Sequence, residues 1–185
     1  MDWLPHDGTA LLVAALAYAA YGWAIFPCTT TKHPRTAHGF ADASTDPDQV
    51  RWWWRRWPQA SIGWSIAPGL VVVDVDPRHG GRDSYHSLGP WPTTLIARTG
   101  GGGGHLVYAL PPGVEARQLA GFRPGLDTRA AGKGYLILAP SPHPSGRAYT
   151  WRTRMPPAHA PDWLVEMIRV RPAPERGLRA EGLTP

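Results

Sequence analysis

Short apolar runs alternate along the chain with polar stretches rich in glycine and proline, a pattern that predicts a mixed α/β fold of short strands and helices. The clearest run is Gly69-Leu-Val-Val-Val-Asp-Val-Asp76, bounded by Pro68-Gly69 and Pro77, which reads as a buried strand ending in two carboxylates. Alternation along a strand points Asp74 and Asp76 to the same side, their Cα atoms about 6.5–7 Å apart. Upstream, the uncharged residues 8–28 predict a buried helix over 10–21, closed by Gly22, and a first strand over 23–26. Alanine-rich content, the interruptions at Gly22 and Pro27, and a Met-Asp-Trp start argue against a membrane span or a secretory signal. Asp46-Pro47 reads as an N-cap with proline at the first position of a helix that runs to Trp57, where Pro58 stops it. Further strands are predicted over 61–66, 94–98, 106–110, 135–138 and 148–152, and helices over 78–88 and 161–170. From Arg171 onward, proline, glycine and charge predict a disordered tail or linker, leaving residues 1–170 as one domain.

Composition narrows the setting. The 185 residues carry 19 Lys+Arg against 14 Asp+Glu, a net charge of +5 that permits a nucleic-acid partner without demanding one. Most of those cations are arginine, which suits phosphate contacts. Cys28 is the one cysteine, so there is neither an internal disulfide nor a cysteine-based zinc site, and a reducing cytoplasm fits. Ten tryptophans must be core or stacking surface. Trp52, Trp53, Trp54 and Trp57 cannot all face inward from one helix. At least one shares the outer side with Arg51, Arg55 and Arg56, either as amphipathic packing or as a surface that stacks bases.

Candidate chemistry lies in three places. Two carboxylates on one side of a strand end repel each other, and a hard divalent cation such as Mg²⁺ or Mn²⁺ removes that conflict; an ordinary solvated pair of acids is the plainer reading. The polar loop 29–45 clusters Lys32, His33, Arg35 and His38, either as a solvated basic loop or as cations beside a phosphate. Thr99 is followed by five glycines and His105. Such a run allows positive φ and close backbone approach, so its amides, those of Gly101, Gly102 and Gly103 among them, can ring an anion. It matches neither the Walker pattern nor the spaced dinucleotide fingerprint, and a glycine run alone is commonly a linker. Asp127 then stands before a basic, glycine-bearing loop containing Arg129 and Lys133.

In order, the parts are Asp-x-Asp on a strand, Thr-Gly-rich-His105-Leu-x-Tyr108 at a hairpin, and a single Asp127 before Gly134-Tyr-Leu-Ile-Leu and Pro140-Ser141. This order resembles the archaeo-eukaryotic primase superfamily, and within it the bifunctional primase-polymerase N-terminal domain of plasmid, phage and integrated-element replication proteins. Gly22-Trp-Ala-Ile-Phe-Pro27, Lys32-His-Pro34, Asp42-Ala-Ser-Thr-Asp46, Ile62-Gly63 and Ser141-Pro-His-Pro-Ser-Gly146 with Tyr149 are similar too, so the resemblance covers about residues 11–151. The resemblance implies that Asp74, Asp76 and Asp127 hold the metal, two ions of Mg²⁺ or Mn²⁺, and that His105 contacts the incoming nucleotide's phosphates. Arg129 and Lys133 are added to the nucleotide cradle only because they lie near Asp127 in sequence. Two features depart from the family pattern. Gly104 stands where a basic residue often precedes the histidine, and no cysteine-bearing zinc element can be built, which puts de novo priming in more doubt than primer extension.

The resulting expectation is an α/β (α+β) protein with an RRM-like, mostly antiparallel catalytic sheet fused to an N-terminal αβ unit. Its expected activity is metal-dependent synthesis or extension of primers on single-stranded DNA from NTP or dNTP. A replicative helicase is the expected partner, in a separate chain or a further domain, with no membrane contact. The alternatives are a non-catalytic single-stranded-DNA-binding or replication-initiation module that kept the fold, and a two-metal nuclease, against which a loop suited to a triphosphate counts.

Overall fold

The computed structural model describes residues 1–170, so the predicted tail lies outside the described residues. Helix α1 (Leu11–Ala20) buries Ala14, Ala15, Tyr18 and Ala19, and the chain leaves it through Gly22 at φ +91°. Strand β1 (Ile25–Cys28) starts two residues later than the pattern predicted and runs through Pro27. It can do so because β1 is an edge strand. The Pro27 carbonyl accepts from the Arg35 N–H on the outer side, so the missing proline donor also falls outside the β1–β2 ladder. Helix α2 (Pro47–Arg56) begins as predicted, the Asp46 carboxylate accepting from the Asp48 N–H at 2.9 Å. Val50, Trp53 and Trp54 of α2 are buried, whereas Trp52 is exposed.

The strands form two sheets. β1, β2 (Ser61–Ser65) and β7 (Tyr135–Ile137) make a three-stranded antiparallel sheet in the order β1-β2-β7. The second sheet runs in the order β6-β3-β5-β4-β8, from β6 (Leu126–Ala130) and β3 (Leu70–Val75) through β5 (Gly104–Ala109) and β4 (Leu95–Arg98) to β8 (Thr150–Trp151). A two-residue strand, β9 (Ala158–His159), joins β5 in parallel; every other pair is antiparallel. This is the expected mixed α+β architecture, with one addition. The chain leaves the acid-bearing sheet after β6 to supply β7 to the N-terminal unit, which ties the two units together.

Each face of the larger sheet meets its own core. Val71, Val73, Val75, Leu106, Tyr108 and Leu126 pack with Leu164, Val165 and Ile168 of the C-terminal helix α4 (Asp162–Ile168). The opposite face, with Val72, Leu95, Ala97 and Val107, joins Trp23, Trp64, Tyr18 and Trp151 in a core shared with the three-stranded sheet and α1. Trp23 stacks on Trp64 at 4.2 Å, and Trp151 Nε1 donates to the Tyr18 hydroxyl, which donates to the Ala139 carbonyl. The segment predicted as one helix over 78–88 is two pieces. A single tight turn (Pro77–His79) and a short α3 (Gly81–Ser87) are separated by Gly80 at φ +82°.

Candidate active site

Strand register puts the predicted acids and histidine side by side. Asp74 on β3 lies opposite His105 on β5 and Asp127 on β6, so Asp127, Asp74 and His105 form one row across three neighbouring strands. Residues directly opposite one another share a face, and this row shares the face of Val72 and Val107, toward the three-stranded sheet. Beyond the apolar contacts the two sheets part into a cleft of about 400 Å³. Asp74, His105, Arg129 and Tyr149 line it, as do Lys133 and the β7 residues Tyr135 to Ile137. A narrower extension, sharing Lys32, Asp74 and His105, takes in Asp76, Arg78, Gly101, Gly103 and His143. Arg129 and Lys133, added from sequence proximity alone, therefore stand in the same cleft as Asp74.

The three carboxylates differ in their surroundings. The Asp74 side chain is 27 % exposed and has loose neighbours, His105 Nε2 at 3.6 Å and Arg129 Nη2 at 4.0 Å. Asp76 lies just past the end of β3 and caps the following turn. It accepts from Arg78 Nε and Nη2 and from the Arg78 N–H, and His79 Nδ1 lies 3.0 Å away. Those bonds, Arg78 foremost, hold its carboxyl well below the usual carboxylate range. Asp127 accepts from the Gly121 N–H at 2.7 Å and from Arg129 Nη2 at 3.0 Å. Among the described residues no three His, Cys, Asp or Glu side chains converge tightly enough to enclose an ion. Asp74 and Asp76 nevertheless present hard oxygen donors to one open cleft. That suits an ion such as Mg²⁺, which is commonly held by one or two carboxylates together with substrate phosphates and water.

His105 is 7 % exposed, and burial lowers its pKa, opposed by the Asp74 charge; Lys32 and Arg129 lower it further. The glycine run is a tight loop rather than an open ring of amides. The Gly102 N–H donates to the Thr99 carbonyl and the Gly103 N–H to Thr99 Oγ1, which leaves the amides of Gly100 and Gly101 outside those bonds. Gly102 occupies the left-handed turn position at φ +88° and lines a groove on the far side of the loop, away from Asp74. At Gly100 a Cβ would collide with the His143 side chain.

His143 and Arg78 are site residues that the linear motifs did not assign, and Lys32 is the one of the four cations of the 29–45 loop that lines the cleft. The Ser145 N–H donates to His143 Nδ1 at 3.1 Å, and Ser145 Oγ donates to the Gly100 carbonyl at 2.8 Å. A backbone N–H can only donate, so Nδ1 is an acceptor and the neutral ring carries its proton on Nε2. Nε2 lies beside the glycine loop, 3.7 Å from where a Gly101 Cβ would stand. Lys32 reaches the cleft from a left-handed turn at φ +73°, its carbonyl accepting from the Tyr135 hydroxyl at 2.8 Å. The Ser141-Pro-His-Pro-Ser-Gly146 segment and the Lys32-His-Pro34 loop were visible in the sequence, but their approach to the acids depends on tertiary contacts.

A sheet-borne row of two acids and a histidine, of which Asp74 and His105 line a cation-lined cleft between two antiparallel sheets while Asp127 stands outside its lining, defines an α+β protein with its polar site on the sheet. The chain belongs to the bifunctional DNA primase/polymerase N-terminal (Prim-Pol) family, whose model matches residues 15–163, a span that includes Asp74, Asp76, His105 and Asp127. No curated protein matches the chain. Family membership bears out the resemblance drawn from motif order and implies DNA primase/polymerase activity on DNA and nucleotide substrates. Among the described residues no helix is long and apolar enough to cross a membrane.

Proposed function

We propose that the chain carries out metal-dependent, template-directed nucleotidyl transfer, making or extending primers on single-stranded DNA during replication of a plasmid, phage or integrated element. The observation that carries this reading is that Asp74 and His105 open on a cleft walled by Lys32, Arg78 and Arg129, with Asp127 beside Asp74 on the next strand. Acids and cations side by side suit a ligand that brings metal ions and a polyphosphate together. Asp74 and Asp76 would hold the Mg²⁺ or Mn²⁺, with Asp127 as third carboxylate, held by Arg129 until a phosphate draws the guanidinium away. Such ions activate a 3′-hydroxyl and stabilise the departing pyrophosphate. Lys32, Arg129 and Lys133 neutralise the triphosphate, and Arg129 can meet phosphate oxygens bidentately. His105 and His143 donate to phosphate oxygens, and Gly100 and Gly101 let the chain approach closely. Burial holds the Tyr149 hydroxyl protonated where it lines the cleft.

One observation favours the non-catalytic single-strand-binding alternative: arginines already hold the Asp76 and Asp127 carboxylates. The two readings separate in an assay with labelled nucleotides, a single-stranded DNA template and Mg²⁺ or Mn²⁺, with and without primer, beside an Asp74→Ala/Asp76→Ala control. We expect incorporation that EDTA and the double substitution each reduce by at least about 10³-fold, the several kcal/mol that a metal supplies to a developing charge. Products made without a primer identify a primase, and extension alone a polymerase served by another primase. Absence of product while DNA is still bound would overturn the catalytic reading.

A further inference from the structure

A second groove, of about 480 Å³, lies across the 29–45 loop from the catalytic cleft, lined by Arg35, Asp42, Asp46, Gln49, Trp52 and Trp57. One loop serves both sites, since Lys32 and Phe40 line the cleft while Arg35 and Thr36 line the groove. The apolar face of α2 is already provided by Val50, Trp53 and Trp54, yet Trp52 is 51 % exposed. It meets Trp57 edge-on at 6.2 Å and 83°, leaving ring surface uncovered. The guanidinium carbons of Arg35 and Arg56 lie 5.6 and 5.7 Å from the Trp57 ring centre. Arg35, Arg55 and Arg56 make no ion pair among the described residues. The nearby acids are engaged locally: Asp42 accepts from the His38 N–H and lies 2.9 Å from its ring nitrogen, and Asp46 caps α2.

We propose that this groove takes single-stranded DNA, with a base stacking on Trp52 and with Arg35 and Arg56, held over Trp57, meeting the phosphates. Stacking on aromatic faces accepts any base, and flanking arginines supply the charge complementarity to a backbone. A core residue has no need of this exposure, and an apolar protein partner has no need of Arg35 in the groove and Arg56 against Trp57, neither of which makes an ion pair among the described residues. The proposal rests on the template-directed reading above, for it gives the template a path that leads along the 29–45 loop to the acids.

The test is fluorescence anisotropy of an end-labelled oligo-dT single strand and of a blunt duplex, titrated with the whole chain. Trp52→Ala is expected to weaken single-strand binding about 5- to 150-fold, the range found for loss of one stacked base, with the salt slope unchanged. Trp52→Phe should recover most of that loss. Arg35→Gln should lower the salt slope by about 0.7, the value for one phosphate contact on a single strand. Single-strand affinity within twofold of wild type in Trp52→Ala would overturn the proposal. So would a wild-type dimer that Trp52→Ala dissolves without changing DNA affinity. Binding that depends on Trp52 in a protein that incorporates no nucleotide would sink the catalytic reading and leave the groove standing. Normal incorporation by a Trp52→Ala protein that binds DNA normally would remove the groove alone.

Discussion

In the proposed function His143 has two separable duties, and substitution can pull them apart. Its Nδ1 accepts from the Ser145 N–H, which fixes the ring over Gly100, and the same bond assigns the remaining proton to Nε2 beside the glycine loop. A donor to a charged phosphate contributes about 1.5–3 kcal/mol, so losing it should lower kcat/KM for the nucleotide roughly 10- to 150-fold. Losing the Ser145 bond costs about 1 kcal/mol of stability, a shift of about 2–4 °C in Tm for a domain of this size. His143→Ala removes both. His143→Asn can keep an acceptor for Ser145 but does not reach the position of Nε2, whereas His143→Gln reaches it without the Nδ1 acceptor. Steady-state extension of a primed template, varying one nucleotide, should therefore show a raised KM in the Ala and Asn variants and substantial recovery in Gln. The pH dependence adds a second reading. Burial first, then Lys32, Arg78 and Arg147, hold the His143 pKa below its ordinary value, so the ring is neutral at neutral pH. Raising the pH then removes no charge from it, and the ratio of wild type to His143→Ala should stay flat from about pH 7 to 9. An imidazolium contact would fade as pH rises through the ordinary histidine value of about 6.5. A nucleotide KM in His143→Ala within twofold of wild type would refute the assignment.

Two further predictions concern the fold. A Cβ at Gly63 would stand 2.6 Å from Phe26 Cζ and 2.8 Å from Cys28 Sγ, inside the first core. Gly63→Ala should accordingly cost about 1–3 kcal/mol by overpacking, read from urea denaturation, and an unchanged midpoint would contradict the packing described. Burial pushes the Cys28 thiol up to about 12, with Arg35 opposing. The native protein should resist iodoacetamide at about pH 8 and take one label per chain only when unfolded, so rapid native labelling would count against a buried Cys28.

Much of the architecture was legible because local rules and tertiary packing agree. The valine run at residues 71–73, the Asp46-Pro47 helix start and the stop at Gly22 each carry their own signal, and each is found where expected. The pattern erred where context overrides local preference. Pro27 sits inside β1 because its outer side is an edge, and Gly80 divides one predicted helix into two pieces. The site was legible in its inventory but not in its geometry. Asp74, His105 and Asp127 are far apart in sequence, and antiparallel register alone makes them neighbours.

By itself, the sequence determined the alternation of elements, the identity of the acids and the histidine, the lone unpaired cysteine, and the motif order that marks the Prim-Pol family. These follow from chain-local chemistry: propensity, periodicity and spacing. Only the tertiary structure decided that β7 returns to the N-terminal sheet and opens a cleft between the two units. It likewise decided that His143 and Lys32 reach that cleft and that Trp52 stays outside the core. The physical reason is that these contacts join residues tens of positions apart, and the packing that brings them together leaves no mark at either position alone.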